Sequence, residues 1–134
     1  MPPLEGCRLV ELTRLPTANA FAAKAAEGFF RRLGLAAQWL EDAPGLVLGR
    51  IVSQLVNEAC FAVGESVGSE EDIDAGLALG LNHPRGPFAW LEAIGTEHVC
   101  WVLDALWRER REERYRIAPA LLRRAMLAGW RLPT

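Results

Sequence analysis

The sequence contains few of the residues that carry most catalytic chemistry. Its 134 residues include two histidines, His83 and His98, and three cysteines. No two cysteines have the spacing of metal ligands or of a redox pair, so Cys7, Cys60 and Cys100 are interpreted as free, buried structural thiols of a reducing compartment, the cytoplasm. No apolar run reaches about 18 residues, the length that a membrane-spanning helix needs. The N-terminus also lacks the basic and apolar segments of a secretory signal.

Glycine-rich phosphate-binding motifs are also missing. Neither GxGxxG nor GxxxxGK[ST] occurs, although such turns hold the phosphates in many nucleotide-binding folds. The acidic residues 70–74 are interpreted as the start of a helix, where the helix dipole favours negative charge, and not as metal ligands. The sequence therefore predicts no metal site and no cofactor site of its own.

Charge is distributed unevenly along the chain. The net charge is −2, which argues against nucleic-acid binding. Residues 108–134 nevertheless hold 8 basic and 3 acidic side chains. Because acids interrupt the basic run RERREERYR (108–116), we interpret it as a solvated helix end with local ion pairs. A basic patch for a partner or for ligand phosphates is the less favoured interpretation.

Two regions of different architecture are predicted, with a boundary near the turn DAPG (42–45). Before it, residues 8–13 and 36–41 read as strands around an alanine-rich helix that Thr17 caps and Gly34 ends. A strand-helix-strand unit normally makes two parallel strands. Two such strands alone leave exposed edges. We therefore expect the pair to join another strand or to be part of a larger sheet.

After the turn the pattern is helical throughout, and five helices or a close variant are predicted over residues 45–134. In the first of these helices an apolar stripe is expected to face inward, with polar side chains facing away. The stripe comprises Leu48, Ile51, Val52, Leu55, Ala59 and Val63, and the outward set comprises Arg50, Gln54, Asn57, Glu58 and Glu65. Because Val47, Val56 and Cys60 widen the apolar face, we expect cover on more than one side and predict a homodimer.

The later helices have recognisable ends. Ser69 and Asp72 form a capping box, Thr96 is predicted to cap a further helix, and Pro119 to open the last one. That further helix is expected to turn four apolar side chains to the core. These are Val99, Val102, Leu103 and Leu106.

Residues 80–90, GLNHPRGPFAW, separate two predicted helices. The two prolines fix φ, Gly80 suits a left-handed helix end, and Gly86 allows a sharp turn. We interpret the segment as a rigid corner. His83 is interpreted as a loop residue, because no group that would orient a catalytic base is evident near it.

Glu11 is a charged residue inside an apolar strand pattern, LVEL (9–12). Strand alternation places it on the same face as Leu9. It is either a strand-end residue with satisfied hydrogen bonds or a positioned catalytic carboxylate, and the strand pattern favours the first interpretation.

The order of motifs after residue 42 resembles the C-terminal helical domain of 3-hydroxyacyl-CoA dehydrogenases. D-x-P-G (42–45) is followed by N-E-A (57–59), S-x-E-D-I-D (69–74) and G-x-x-x-P-x-G-P-F (80–88), and EERYRIAPALLRRAMLAGW extends the similarity to residue 130. The resemblance implies a mainly α fold, a five-helix or similar bundle of the 6-phosphogluconate-dehydrogenase C-terminal type over residues 45–134. Residues 1–44 would then be a strand-helix-strand remnant of the NAD-binding domain.

The resemblance also implies candidate site residues. The family oxidises the 3-hydroxyl of an acyl-CoA with NAD, and Glu11 matches the glutamate that orients its catalytic histidine, which would fall before Met1. Arg50 matches the arginine of D-x-P-G-x-x-x-N-R, and Gly49 replaces the asparagine near the substrate, so both are candidate substrate-binding residues. Gly49 and the segment 82–90 are also similar to the second, degenerate domain copy in tandem enzymes of phenylacetate catabolism.

Two functions are consistent with the resemblance. The first is the dimerisation and substrate-lid domain of a 3-hydroxyacyl-CoA dehydrogenase of fatty-acid or phenylacetate catabolism, inactive alone, with NAD bound by a separate or missing domain. Its expected partners are a second copy, an NAD-binding chain and an acyl-CoA. The alternative is a catalytically inactive, stand-alone binding or scaffold protein with the same helical fold. A complete small enzyme with unrelated chemistry is disfavoured, because no paired acid and base are evident.

Overall fold

A computed structural model describes residues 6–17 and 19–131. Its contacts divide the chain between Val47 and Leu48 into two compact units. The elements in chain order are β1 (Leu9–Leu12), α1 (Ala20–Arg32), β2 (Ala36–Trp39), α2 (Leu48–Gly64), α3 (Glu70–Gly80), α4 (Pro87–Ile94), α5 (Thr96–Arg110), a 3-10 turn (Glu113–Tyr115) and α6 (Pro119–Leu127). The mainly α fold predicted from the sequence is confirmed. No helix in the described ranges is both long and apolar enough to cross a membrane.

The first unit is a strand-helix-strand crossover. β1 and β2 pair in parallel, with Leu9 opposite Ala36 and Leu12 opposite Trp39, and α1 packs on β2. This confirms the predicted strand pair. Because β1 and β2 form a two-stranded sheet, each strand has a neighbour on one side within the described residues.

The predicted N-cap of α1 is wrong. Asn19 caps the helix instead of Thr17, and its side-chain Oδ1 accepts the Ala22 N–H at 2.8 Å. Asparagine is at least as good an N-cap as threonine, and its side chain reaches the third residue of the helix. At the other end Gly34 takes a φ of 77°, as its predicted role requires.

The second unit has an apolar core made of two clusters of buried side chains. α2 packs against α4, α5 and α6. The smaller cluster comprises Val102, Leu106 and Tyr115. The larger cluster comprises Val52, Val56, Ala59, Cys60, Phe88, Leu91, Val99, Cys100, Leu103, Ala118, Leu121, Ala125 and Trp130. All four α5 side chains predicted to face the core are buried, which confirms the predicted face of that helix.

The predicted faces of α2 are partly wrong. Leu48 and Ile51 are 59% and 61% exposed, whereas Asn57, expected to face away, is only 2% exposed. The Asn57 Nδ2 donates to the Arg116 carbonyl at 2.9 Å, and its Oδ1 accepts the Ala118 N–H at 2.8 Å. Burial of this amide is therefore tolerated because backbone groups satisfy its hydrogen bonds.

A carboxylate holds the corner between α3 and α4. The side chain of Asp74, on α3, accepts the N–H groups of Phe88 and Ala89 at 2.8 and 3.0 Å, so it caps α4 from a neighbouring helix. A methyl group added to Gly86 would lie 2.2 Å from the Asp74 Cγ, which explains the glycine. Gly80 does not take the predicted left-handed φ; Asn82 does, at 53°.

The remaining helix ends largely follow the prediction. The capping box is present, and hydrogen bonds from the Ser69 side chain and backbone lower the pKa of Asp72. Pro119 opens α6. Thr96 is the first residue of α5 and not its cap, because Gly95 occupies the capping position with a φ of 94°.

The basic run after α5 forms the predicted local ion pairs. Arg110 lies 2.9 Å from Glu109, and Arg114 lies 2.7 Å from Glu112. The side chains of these two pairs are all 44% or more exposed. Exposed pairs of this kind contribute little to stability, and the interpretation of a solvated helix end is confirmed.

Candidate functional site

Glu11 has a defined position in the first unit. It lies on β1 opposite Gln38 and is half-buried. Its Oε2 accepts the Val47 N–H at 3.3 Å, so the carboxylate links the strand to the turn that follows β2. The geometry agrees with a strand residue whose carboxylate is held in place, and a catalytic role stays a prediction.

Gly49 and Arg50 occupy the first turn of α2, in the second unit. A Cβ added to Gly49 would meet no atom within 4 Å, so this position has room for an asparagine side chain. Arg50 is half-buried, and its Nη2 donates to the hydroxyl of Tyr115. The Arg50 Cζ also lies 5.4 Å from the centroid of that ring. The arginine is therefore engaged within the fold.

The connection between β1 and α1 does not fit NAD. In a dinucleotide-binding fold the first strand-to-helix turn carries glycines that let the backbone approach the pyrophosphate at a helix N-terminus. Here residues 13–19 read TRLPTAN, without a glycine, and the Asn19 side chain already caps α1. This turn therefore does not form the pyrophosphate site of a dinucleotide, and no catalytic step through NAD follows from the described residues.

Neither histidine has the setting of a catalytic base. His83 is half-buried in the α3–α4 corner, and its backbone N–H donates to the Leu77 carbonyl at 3.4 Å. His98 is exposed near the start of α5. Across residues 6–17 and 19–131, no three His, Cys, Asp or Glu side chains are grouped to hold a metal ion.

The cysteines are free thiols, and two of them are buried as predicted. Burial raises the pKa of Cys60 to about 11 and that of Cys100 to about 12. Because the thiolate is the reactive form, neither is a nucleophile at neutral pH. Cys7 is only half-buried, and its Sγ–H donates to the Leu9 carbonyl at 2.9 Å.

Residues 64–68 read GESVG, which matches the G-x-S-x-G pattern of serine hydrolases. In those enzymes the serine stands on a strand-to-helix turn. Here the segment connects two helices, α2 and α3, and the Ser66 N–H donates to the Val63 carbonyl at 3.0 Å. Its φ of 61° is that of a left-handed turn residue. The structural context of a nucleophile is therefore missing from this motif.

The helical unit matches a known family. The family model described as "3-hydroxyacyl-CoA dehydrogenase, C-terminal domain" matches residues 45–131. This range begins just before α2 and ends after α6, so the match covers the second unit and most of the chain.

Individual relatives extend the similarity towards the N-terminus. The chain is 36% identical to the 3-hydroxyadipyl-CoA dehydrogenase of Escherichia coli (strain K12) over 99 residues, which are 74% of the chain and 21% of that protein. It is 33% identical to the 3-hydroxybutyryl-CoA dehydrogenase of Bradyrhizobium diazoefficiens over 130 residues, which are 97% of the chain and 44% of that protein.

A solved structure shows the same similarity in three dimensions. The crystal structure of 3-hydroxybutyryl-CoA dehydrogenase from Escherichia coli superimposes with a TM-score of 0.86 at 32% identity, over 92% of this chain and 26% of that one. The chain thus spans less than half the length of each of these proteins.

Proposed function

The chain belongs to the 3-hydroxyacyl-CoA dehydrogenase family through its C-terminal helical domain, and we propose that it is the dimerisation and substrate-lid domain of such an enzyme. The observation that carries this proposal is the match of residues 45–131 to one domain of the family. The proposed substrate class is a 3-hydroxyacyl-CoA, in fatty-acid or phenylacetate catabolism. Buried free thiols support a cytoplasmic site of action.

The proposed division of labour assigns NAD to a separate domain. Neither GxGxxG nor GxxxxGK[ST] occurs in the sequence, and the family histidine would fall before Met1, so the cofactor and the catalytic histidine would come from an NAD-binding domain. Glu11 would orient that histidine, as a carboxylate does for an imidazole base. The start of α2, with Gly49, would face the acyl-CoA.

An exposed apolar surface at the start of α2 supports self-association. Leu48 and Ile51 are more than half exposed, while the opposite face of the helix packs in the core. Adjacent apolar side chains of this kind mark interaction surfaces, and symmetric dimers are the commonest assemblies. We propose that these two side chains lie in a homodimer interface.

Reconstitution tests the proposed enzyme. The chain alone, given 3-hydroxybutyryl-CoA and NAD, should form no NADH. Addition of the NAD-binding domain of the Bradyrhizobium diazoefficiens relative should give NADH, and Glu11→Gln should lower that rate by about a hundredfold, the lower end of what general acid–base catalysis contributes. Turnover by the chain alone, or an unchanged rate with Glu11→Gln, would contradict the proposal.

Sedimentation at micromolar concentration tests the dimer. Ile51→Glu should give a monomer, because it places a charge in the proposed interface. Met126→Glu is the matched control, since Met126 on α6 is also 61% exposed, and it should stay dimeric. A monomeric wild-type chain, or equal effects of the two substitutions, would count against the interface.

The alternative function is a binding or scaffold protein that retains the fold without the reaction. Gly49, which stands where the family motif has asparagine, favours it. The open space around Gly49 makes Gly49→Asn a direct test. If the NAD-binding domain activates neither the wild-type chain nor Gly49→Asn while the homodimer persists, the scaffold function is supported.

A further inference from the structure

Two polar side chains attach the same side of α2 to the segment 115–118. Arg50 and Asn57 are seven residues apart, which is two helical turns, so they lie on one side of the helix. Arg50 bonds the Tyr115 hydroxyl, and Asn57 bonds the backbone of Arg116 and Ala118. Segment 115–118 is therefore fastened along α2 at two points.

Tyr115 is a firm anchor for the first of these points. It is 1% exposed and packs with Val102 and Leu106 of α5. Its hydroxyl accepts a hydrogen bond from the Arg50 guanidinium, and the Cζ of Arg114 lies 4.8 Å from the centroid of the same ring. The contact thus links the first turn of α2 to the α5 core through a buried ring.

The Arg50 guanidinium makes two different contacts with this ring, a hydrogen bond to its hydroxyl and a cation–π contact at 5.4 Å. Lysine keeps the charge but has no planar fork with which to make both contacts. Both contacts hold the guanidinium against a ring that is buried within the fold. The geometry therefore favours an internal role for Arg50.

We propose that Arg50 is a positioning residue, which holds the first turn of α2 and with it Gly49 through Tyr115, and that it does not bind the acyl-CoA itself. As far as it concerns acyl-CoA, the inference rests on the proposed function. It reassigns Arg50, which the family resemblance had made a candidate substrate-binding residue. The effect of Arg50 on the substrate should accordingly depend on the Tyr115 hydroxyl.

Three variants of the full chain separate the two roles: Arg50→Lys, Tyr115→Phe and, as a matched control, Arg114→Lys. Arg114 contacts the same ring without a hydrogen bond to its hydroxyl. In the reconstituted enzyme the first two should each raise the KM for 3-hydroxybutyryl-CoA about tenfold, the scale of one lost buried hydrogen bond. Their combination should raise it no further, and Arg114→Lys should leave it unchanged.

Two outcomes for KM would overturn the inference. If Arg50→Lys raises KM while Tyr115→Phe does not, the arginine contacts the substrate directly. If both variants only lower the urea midpoint of unfolding and leave KM at the wild-type value, the contact is merely structural. Additive effects of the two substitutions would likewise show that Arg50 does not act through Tyr115.

Two measurements that need no catalytic turnover test this inference separately from the proposed function. Hydrogen exchange over residues 51–54, the first amides of α2 with carbonyl partners inside the helix, should become faster in Arg50→Lys and Tyr115→Phe but not in Arg114→Lys. Because Tyr115 is the only tyrosine of the chain, 3-fluorotyrosine labelling gives one fluorine resonance, which Arg50→Lys should shift. If the reconstituted wild type is inactive, the proposed function fails, and these two measurements still decide the positioning role. Unchanged exchange and an unshifted resonance would overturn it.

Discussion

The two units of this chain differ in whether they enclose a core of their own. In the helical unit Val99, Leu103 and Leu121 are fully buried. In the strand-helix-strand unit the buried apolar side chain among the described residues is Ala23, at 7% exposure, while Phe21 is 80% exposed. A two-stranded sheet with one helix buries little apolar surface. The comparison indicates that the helical unit encloses an apolar core of its own, whereas the strand-helix-strand unit does not.

The largest expected effect tests this difference in burial. Leu103→Ala in the helical core should lower the free energy of unfolding by about 3 kcal/mol, through lost transfer energy and a cavity. Phe21→Ala in the smaller unit should change it by less than about 0.5 kcal/mol, because the side chain is already in solvent. Urea unfolding of both variants checks this. Similar losses of unfolding free energy in the two variants would contradict the difference in burial between the two units.

Adding a methyl group at a glycine should change the free energy of unfolding in opposite directions in the two units. Gly86→Ala should cost about 2 kcal/mol, because the methyl group displaces the Asp74 carboxylate that caps α4. Gly28→Ala on α1 meets no atom within 4 Å and should gain about 0.5 kcal/mol from helix propensity and a less flexible unfolded chain. Urea midpoints measure both. A tolerated Gly86→Ala would refute the close packing described for the corner.

The smallest expected effects concern the three thiols. At mildly alkaline pH a disulfide reagent should label the half-buried Cys7 of the smaller unit, while Cys60 and Cys100 react only on unfolding. Burial raises the pKa of Cys60 from 9.0 to about 11 and that of Cys100 to about 12. A thiol pKa that is higher in the folded state than in the unfolded state stabilises the folded state below pH 9. This contribution is lost as the pH rises through the pKa values of the folded state.

Stability measured against alkaline pH tests the same shifts. The free energy of unfolding should decrease above pH 9, and Cys60→Ala should make that decrease smaller than in the wild type. Fast labelling of all three thiols in the folded chain, or an identical pH dependence in Cys60→Ala, would contradict the burial described here.

Local signals allowed the elements to be predicted, because they depend on neighbours in the chain. The capping box at Ser69, the proline that opens α6 and the alternating strand around Glu11 all have this property. The same reasoning misassigned Asn57, since a polar residue in a helix is expected to face water. Its partners, Arg116 and Ala118, are about 60 residues away in sequence, and no helical periodicity reveals them.

The same limit applies to the candidate site. Motif order assigns roles to Glu11 and Gly49, and these roles stay predictions, whereas the contact of Arg50 depends on Tyr115, which is 65 residues away in sequence. The requirement for glycine at position 86 likewise depends on Asp74 in another helix, since a side chain at position 86 would clash with it. Contacts between distant segments decide whether a charged side chain serves a ligand or the fold.

Titration of the 134-residue chain with NAD measures whether these residues bind the cofactor by themselves. Calorimetry should show no saturable binding up to millimolar NAD, because the sequence contains no glycine-rich turn with which to hold a pyrophosphate. Addition of an NAD-binding domain from a relative should restore binding. Saturable micromolar binding by this chain alone would contradict the proposal that NAD is bound by a separate domain.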